Sequence, residues 1–135
     1  METILSLGSR RKFTLWRFDA SHRRLLLRSS LEQNKPHPTR IDLLFSHVVR
    51  INIPTFIDLD TVREVHSELL DVLLPNHFMG QANNDKVYGF YLEEKLVGYV
   101  VAKWHILSED TAKASEKSSE YHINLITGWA TLSDG

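Results

Sequence analysis

Several short stretches of the chain alternate apolar and polar residues, which is the pattern of a β-strand with one buried face. The cleanest alternation runs over residues 39–46 and again over residues 49–53, where Pro54 ends it. These two stretches predict either a hairpin or one long strand that bends at Ser46-His47. Residues 121–125 alternate in the same way and predict a last strand.

Two pairs of apolar stretches flank short polar turns and predict β-hairpins. The first hairpin joins residues 13–18 to residues 23–29, and the second joins residues 87–92 to residues 96–107 across residues 93–95. The second hairpin is the strongest signal of its kind in the chain. We expect Tyr88, Phe90 and Leu92 of its first strand to lie on the same face as Tyr99 and Val101 of its second strand.

One segment changes from a period of two to the spacing of a helix. Its apolar residues recur three or four positions apart at Val62, Val65, Leu69 and Leu73. Thr61 and Glu64 fit the ends of a T-x-x-E capping box. We therefore expect a packed helix over residues 61–74. Asp58 and Asp60 precede this segment, and the stretch lacks the glycine and glutamate of a calcium loop. We therefore expect the two carboxylates to lie at the helix start and stabilise its positive end.

These patterns predict an α+β to mainly β fold. About seven strands are expected to form an antiparallel sheet or sandwich, with the one helix packed against it. The length of 135 residues suits a single globular domain over residues 1–135. Within it, the polar residues 108–119 are expected to form a mobile loop and residues 128–135 a short tail.

The composition excludes several classes of protein. There is no cysteine, so the chain has no disulfide, no thiolate metal site and no cysteine nucleophile. A membrane-spanning helix needs about 20 consecutive apolar residues, and no run in the sequence is nearly that long. The opening Met1-Glu2 lacks the basic residue of a secretory signal. We therefore expect a cytoplasmic protein that does not contact a membrane.

The net charge of −1 is unevenly distributed along the chain. The first sixty residues hold ten Lys and Arg against six Asp and Glu, and many of these cations lie on the first hairpin beside Phe13 and Trp16. Basic residues among aromatics are typical of single-stranded nucleic-acid binding, which is one alternative function of the Arg-rich first hairpin. Domains that bind nucleic acid are usually basic overall, so we expect the arginines outside, the aromatics in the core and a different partner.

The sequence contains no motif that identifies a reaction. Its six glycines are scattered singly and form no phosphate loop or nucleophile elbow. Its seven histidines show no metal-ligand spacing, so we expect no metal, no cofactor and no catalytic residue. A small-molecule binder or hydrolytic enzyme is the second alternative function. Its pocket would lie near His105 and His122 and be lined by Tyr99, Trp104, His105, Tyr121 and His122.

The stretch from Pro38 to Pro54, PTRIDLLFSHVVRINIP, resembles small bacterial β-sheet proteins of unassigned function, some of which are grouped with polymorphic-toxin immunity proteins. In that group a strand ending in an aromatic residue, here Phe45, precedes a short V-x-x-[LI]-x-[LI] strand, here residues 48–53. The group is not known for enzymes. The resemblance therefore implies a bacterial protein that works by binding another protein.

The first expectation for function is a non-enzymatic protein-binding module, immunity-like or accessory. Its partner would be another protein or a second copy of the chain. Aromatic residues and arginine are common anchors of protein interfaces. The candidate binding residues are Arg23, Arg24, Tyr99, Trp104, His105, Tyr121, His122 and Trp129.

Overall fold

The computed structural model describes residues 2–29, 39–65 and 85–110, which form one antiparallel sheet of eight strands. In chain order these are β1 (Glu2–Asp19), β2 (Arg24–Ser29), β3 (Arg40–Ser46), β4 (Arg50–Asn52), β5 (Phe56–Val65), β6 (Lys86–Leu92), β7 (Lys95–Ala102) and β8 (Trp104–Asp110). Their order across the sheet is β4-β7-β6-β5-β1-β2-β3-β8. The expected antiparallel, mainly β architecture is confirmed.

The sheet closes on itself through two bent strands. β3 pairs with β8 and β4 pairs with β7, and only short bends separate β3 from β4 and β7 from β8. Hydrogen bonds from the Val49 amide to the Val101 carbonyl and from the Lys103 amide to the Ser46 carbonyl continue the pairing across the bends. The sequence left open a hairpin or a bent strand here, and β3 and β4 form the bent strand. His47 makes the bend with a φ of 57°.

The inner face of the closed sheet carries the hydrophobic core. Side chains from six strands meet there, among them Phe13, Leu25, Leu27, Leu43, Phe45, Ile57, Leu59, Val62, Tyr88, Phe90 and Val100. The outer face is also buried in places, since Leu26 and Leu44 form a second cluster there with Ile106. Alternation along these strands therefore separates inner from outer residues, and both sets include apolar side chains.

Two glycines in the second hairpin lie where the backbone passes close to other groups. A Cβ atom on Gly98 would lie 2.7 Å from Ile53 Cγ2 and 2.9 Å from the Asn52 carbonyl oxygen. A Cβ atom on Gly89 would meet the ends of the Val65 and Tyr91 side chains at 2.9 Å. The ladder between β6 and β7 also contains a bulge, as a register shift between Phe90 and Tyr91. Gly98 thus lets β7 approach β4, where the sheet closes.

The helix expected over residues 61–74 is not seen. Thr61, Val62 and Val65 belong to β5, which pairs with β1 on one side and with β6 on the other. Val62 is buried in the inner core, and Val65 is buried although it lies outside that core cluster. When a strand buries residues on both faces, two buried apolar residues can lie three positions apart, as Val62 and Val65 do. This spacing is also typical of a helix, which explains the wrong prediction. Residues 66–74 lie outside the described part of the chain.

Two smaller expectations also need correction. Residues 108–110 belong to β8 and not to a loop, while 111–119 lie outside the described residues, as do the expected strand at 121–125 and the tail at 128–135. In the second hairpin Tyr88 pairs with Val100, whereas Tyr99 pairs with Gly89 on the opposite face. Tyr99 and Val101 therefore do not face Tyr88 and Phe90.

Candidate functional site

A β-bulge in β1 removes Trp16 from the regular pairing of β1 with β2. Leu15 pairs with Leu27 and Arg17 pairs with Leu26, so Trp16 is the additional residue of a β-bulge. Bulges re-aim side chains and are frequent beside functional sites. The Trp16 side chain lies on the outer face, and the residue is 41% exposed.

A buried arginine supports Trp16 from below. The Arg28 guanidinium carbon lies 4.9 Å from the centre of the Trp16 ring. Its Nε and Nη2 atoms donate to Oδ1 and Oδ2 of Asp42 at 2.8 and 3.0 Å. The side chains of Arg28 and Asp42 are only 2% and 1% exposed. The bidentate pair fixes the guanidinium, and the cation–π contact then restricts the indole above it.

Phe56 extends the apolar surface around Trp16. It begins β5 opposite Thr14, two residues before Trp16 on β1, and it is 54% exposed. Ile57 points into the core, so the preceding Phe56 must face outward. Lys12 and Arg17 occupy outward positions of β1 on either side. We call Trp16, Phe56, Lys12 and Arg17 the Trp16 patch.

A second cluster of polar side chains lies at one end of the inner face. Nδ1 of His105 lies 3.3 Å from the Tyr88 hydroxyl, and the two rings meet edge to face with centres 5.2 Å apart. Tyr88 is fully buried and also packs on Phe45. Glu64 stands opposite Tyr88 in the sheet, Glu2 stands opposite Glu64, and Lys86 Nζ lies 3.9 Å from Glu64 Oε2.

The surroundings of this cluster shift the pKa values of His105 and Tyr88. Burial lowers the pKa of His105, and the positive charge of Lys86 lowers it further, while Glu64 and Glu2 act in the opposite direction. Burial also raises the pKa of the Tyr88 hydroxyl, with the two glutamates adding to the rise. Both rings are therefore neutral at pH 7, and the neutral imidazole can accept a hydrogen bond from the tyrosine.

The expected binding residues do not converge on one place. Arg23 is an exposed turn residue with a φ of 53°, and Arg24 is buried on the outer face opposite Asp19. Tyr99 is buried on the outer face of β7, and Trp104 lies partly exposed opposite Ser46. His105 follows Trp104 directly and points to the inner face. Tyr121, His122 and Trp129 lie outside the described residues.

Sequence reasoning missed the exposure of Trp16 and Phe56. The hairpin pattern predicts that Trp16 lies in the core with Phe13, and only Phe13 lies there. The order Phe13, Leu15, Phe18 breaks a strict period of two between residues 15 and 18, and that break was the available signal for the bulge. For Phe56 the signal was the adjacent Ile57, because neighbouring strand residues cannot both face inward.

The described ranges show neither a metal-binding cluster nor a membrane span. No group of three or more His, Asp and Glu side chains in residues 2–29, 39–65 and 85–110 is placed to hold a metal ion. The same ranges contain no helix with the length and apolar character needed to cross a bilayer. Comparisons of the chain with protein-family models, with curated proteins and with solved structures found no match.

Proposed function

We propose that this chain is a non-enzymatic protein-binding module whose binding surface is the Trp16 patch. The observation that carries the proposal is that Trp16 is exposed while its indole ring is held in place by the buried Arg28–Asp42 pair. Tryptophan at the centre of an apolar area is the residue type that most often dominates protein interfaces. An indole already restricted in the unbound protein loses little conformational entropy on binding.

The neighbouring Phe56 gives the patch enough apolar area to act as an anchor. Burying apolar surface contributes roughly 25 cal/mol per Å², so two large aromatic rings supply several kcal/mol when a partner covers them. Lys12 and Arg17 would form the polar rim that such an interface carries. An immunity-like role in a bacterial cytoplasm is the version of this proposal that the resemblance of residues 38–54 supports.

Site-specific photo-crosslinking tests the proposal directly. A benzoylphenylalanine is placed at position 56 and, as a matched control, at Val97, an exposed apolar residue of β7. After irradiation of cells of the source organism, we expect a discrete crosslinked protein from position 56 and none from position 97. The crosslink should disappear in the Trp16→Ala variant, whose fold is checked by its unfolding transition. Equal crosslinking from both positions, or a crosslink that survives Trp16→Ala, would refute the proposal.

A further inference from the structure

Trp16 and Phe56 form a pair of exposed rings at a defined spacing. Phe56 stands directly opposite Thr14, and Trp16 follows Thr14 by two residues on the same outer face. Diagonal neighbours of this kind in an antiparallel pair lie about 7–8 Å apart. A polyproline II segment advances about 9 Å per turn of three residues. Side chains one turn apart on such a segment can therefore cover one ring each.

The hydrogen-bonding capacity of the patch favours a ligand with free carbonyl groups. The ring of Trp16 contacts Arg28, and no residue of the described ranges accepts a hydrogen bond from its indole N–H. A helix bonds all but its last few carbonyls internally, whereas a polyproline II segment has no internal hydrogen bonds. A carbonyl of such an extended segment can thus accept the bond that the indole offers.

The pairing of β1 excludes a partner strand beside Trp16. Leu15, the preceding residue, pairs with Leu27 of β2 on one side, and its amide donates to the Thr55 carbonyl at 2.8 Å on the other. Both edges of β1 are occupied at this point. Recognition beside Trp16 must therefore use side chains and not the addition of a strand to the sheet.

The charges near the patch do not select a charged ligand. The Arg28 guanidinium next to the indole is neutralised by its bidentate pair with Asp42. Lys12 and Arg17 interact with other groups of the protein itself. The patch therefore presents two aromatic rings and one hydrogen-bond donor to a partner, and this combination suits an uncharged segment.

From the ring spacing and the indole donor we infer that the partner of the Trp16 patch is a proline-rich segment in the polyproline II conformation, with two prolines three positions apart. This inference rests on the proposed function and deepens it by naming the class of partner. One proline would pack on Trp16 and the other on Phe56, and a carbonyl between them would accept the indole hydrogen bond. Proline-rich segments are already extended before they bind, so they lose little conformational entropy when they dock on aromatic side chains.

Selection of random 12-residue peptides displayed on phage tests the inference. The library is selected on the full chain after depletion on the Trp16→Ala variant. We expect the enriched peptides to share two prolines separated by two residues. Enriched peptides without proline, whose apolar residues recur at the spacing of an amphipathic helix, would overturn the inference. The absence of any peptide that distinguishes the parent from Trp16→Ala would also overturn it.

Fluorescence anisotropy with a labelled, enriched peptide then measures each contact. Replacing both prolines with alanine should weaken binding by about tenfold, and so should Phe56→Ala. Trp16→Phe keeps a ring but removes the N–H, and should weaken binding by about threefold. Val97→Ala, at an exposed apolar residue of β7, should change binding by less than about twofold. Binding that survives the loss of both prolines or of Phe56 would contradict the inference.

These outcomes are distinguishable from a failure of the proposed function. If the crosslink from position 56 forms but the enriched peptides lack proline, the protein-binding function stands and only the class of partner is wrong. If proline-rich peptides bind while the crosslink fails, the patch has the inferred chemistry and the proposed function is wrong.

Discussion

The backbone amide of Glu93 donates a hydrogen bond to Oδ2 of Asp60 at 3.0 Å and so ties the turn between β6 and β7 to β5. Glu93 and Glu94 have φ values of 50° and 68°, and positive φ at both central residues is the mark of a type I′ turn. Such turns favour asparagine and glycine. Here Arg10 lies 3.6 Å from Glu93 and Arg63 lies 3.1 Å from Glu94. The hydrogen bond to Asp60 therefore helps to hold a turn that the backbone preferences of glutamate oppose, and the two exposed ion pairs add little to it.

Replacing Glu93-Glu94 with Asn-Gly should stabilise the protein. A residue other than glycine at positive φ costs on the order of 1 kcal/mol, and the two exposed ion pairs contribute less than that each. We expect the free energy of unfolding in urea to rise by about 1–2 kcal/mol. The Glu93→Gln/Glu94→Gln variant keeps side-chain size, removes only the charges and should differ from the parent by less than ~0.5 kcal/mol. A less stable Asn-Gly variant would mean that the ion pairs outweigh the backbone cost.

Asp60 should stabilise the protein in a pH-dependent way. The hydrogen bond from the Glu93 amide and then that from the Thr61 hydroxyl lower the pKa of Asp60 below its ordinary value. Its contribution is thus fully present above the unfolded value of about 4 and is lost as the pH falls through the lower folded value. We expect Asp60→Ala to be less stable than the parent at pH 7, with the difference narrowing below pH ~4. A difference that stays constant between pH 7 and pH 2.5 in urea unfolding would contradict this.

The Arg28–Asp42 pair should show strong coupling in a double-mutant cycle. Removing one member leaves the other charged and buried, which costs about 3–5 kcal/mol. Arg28→Met and Asp42→Leu should each lose roughly this much stability, and the double variant should lose far less than their sum. Arg28→Met should also weaken the near-ultraviolet circular dichroism signal of Trp16, because the indole loses the contact that restricts it. Additive losses would show that the two side chains act independently.

His105 should make the protein less stable in mild acid. Its folded pKa is lowered, chiefly by burial and then by Lys86. The unfolded chain therefore binds a proton near pH 6.5 that the folded chain does not bind, and stability falls as the pH drops from about 7 toward 5. His105→Gln should remove this dependence from urea midpoints measured across that range. Tyr88→Phe, which removes the hydroxyl but keeps the burial, should retain most of it. A parent protein with the same pH dependence as His105→Gln would disprove the assignment.

The strands were predictable where apolar and polar residues alternate strictly in the sequence or where turn residues intervene. Residues 39–46 and the hairpin across residues 93–95 alternate or turn as expected, and both appear in the sheet. β5 was not predictable, because Val62 and Val65 are both buried and only Val62 joins the inner core. Local periodicity cannot report a second buried face, since that burial depends on elements far away in sequence.

The candidate site was less predictable than the fold. Arginines on the first hairpin were expected to lie outside the core, and Arg28 does, but it is buried there and paired with Asp42, which only the alignment of β2 with β3 brings opposite it. The exposure of Trp16 depends on the register shift in β1, which follows from how β1 meets β2. Residue types indicated an aromatic and basic surface. Which aromatic is exposed was decided by register.

The closure of the sheet has a consequence for how the chain folds. The pairings β1–β2, β2–β3 and β6–β7 join neighbours in sequence, whereas β1–β5 and β3–β8 join strands separated by much of the chain. Loop-closure entropy delays distant pairings and favours local ones. We therefore expect the N-terminal meander and the β6–β7 hairpin to form early, and the pairing of β3 with β8 to form late. The bends that leave the sheet without a free edge are thus where we expect its last pairings to form.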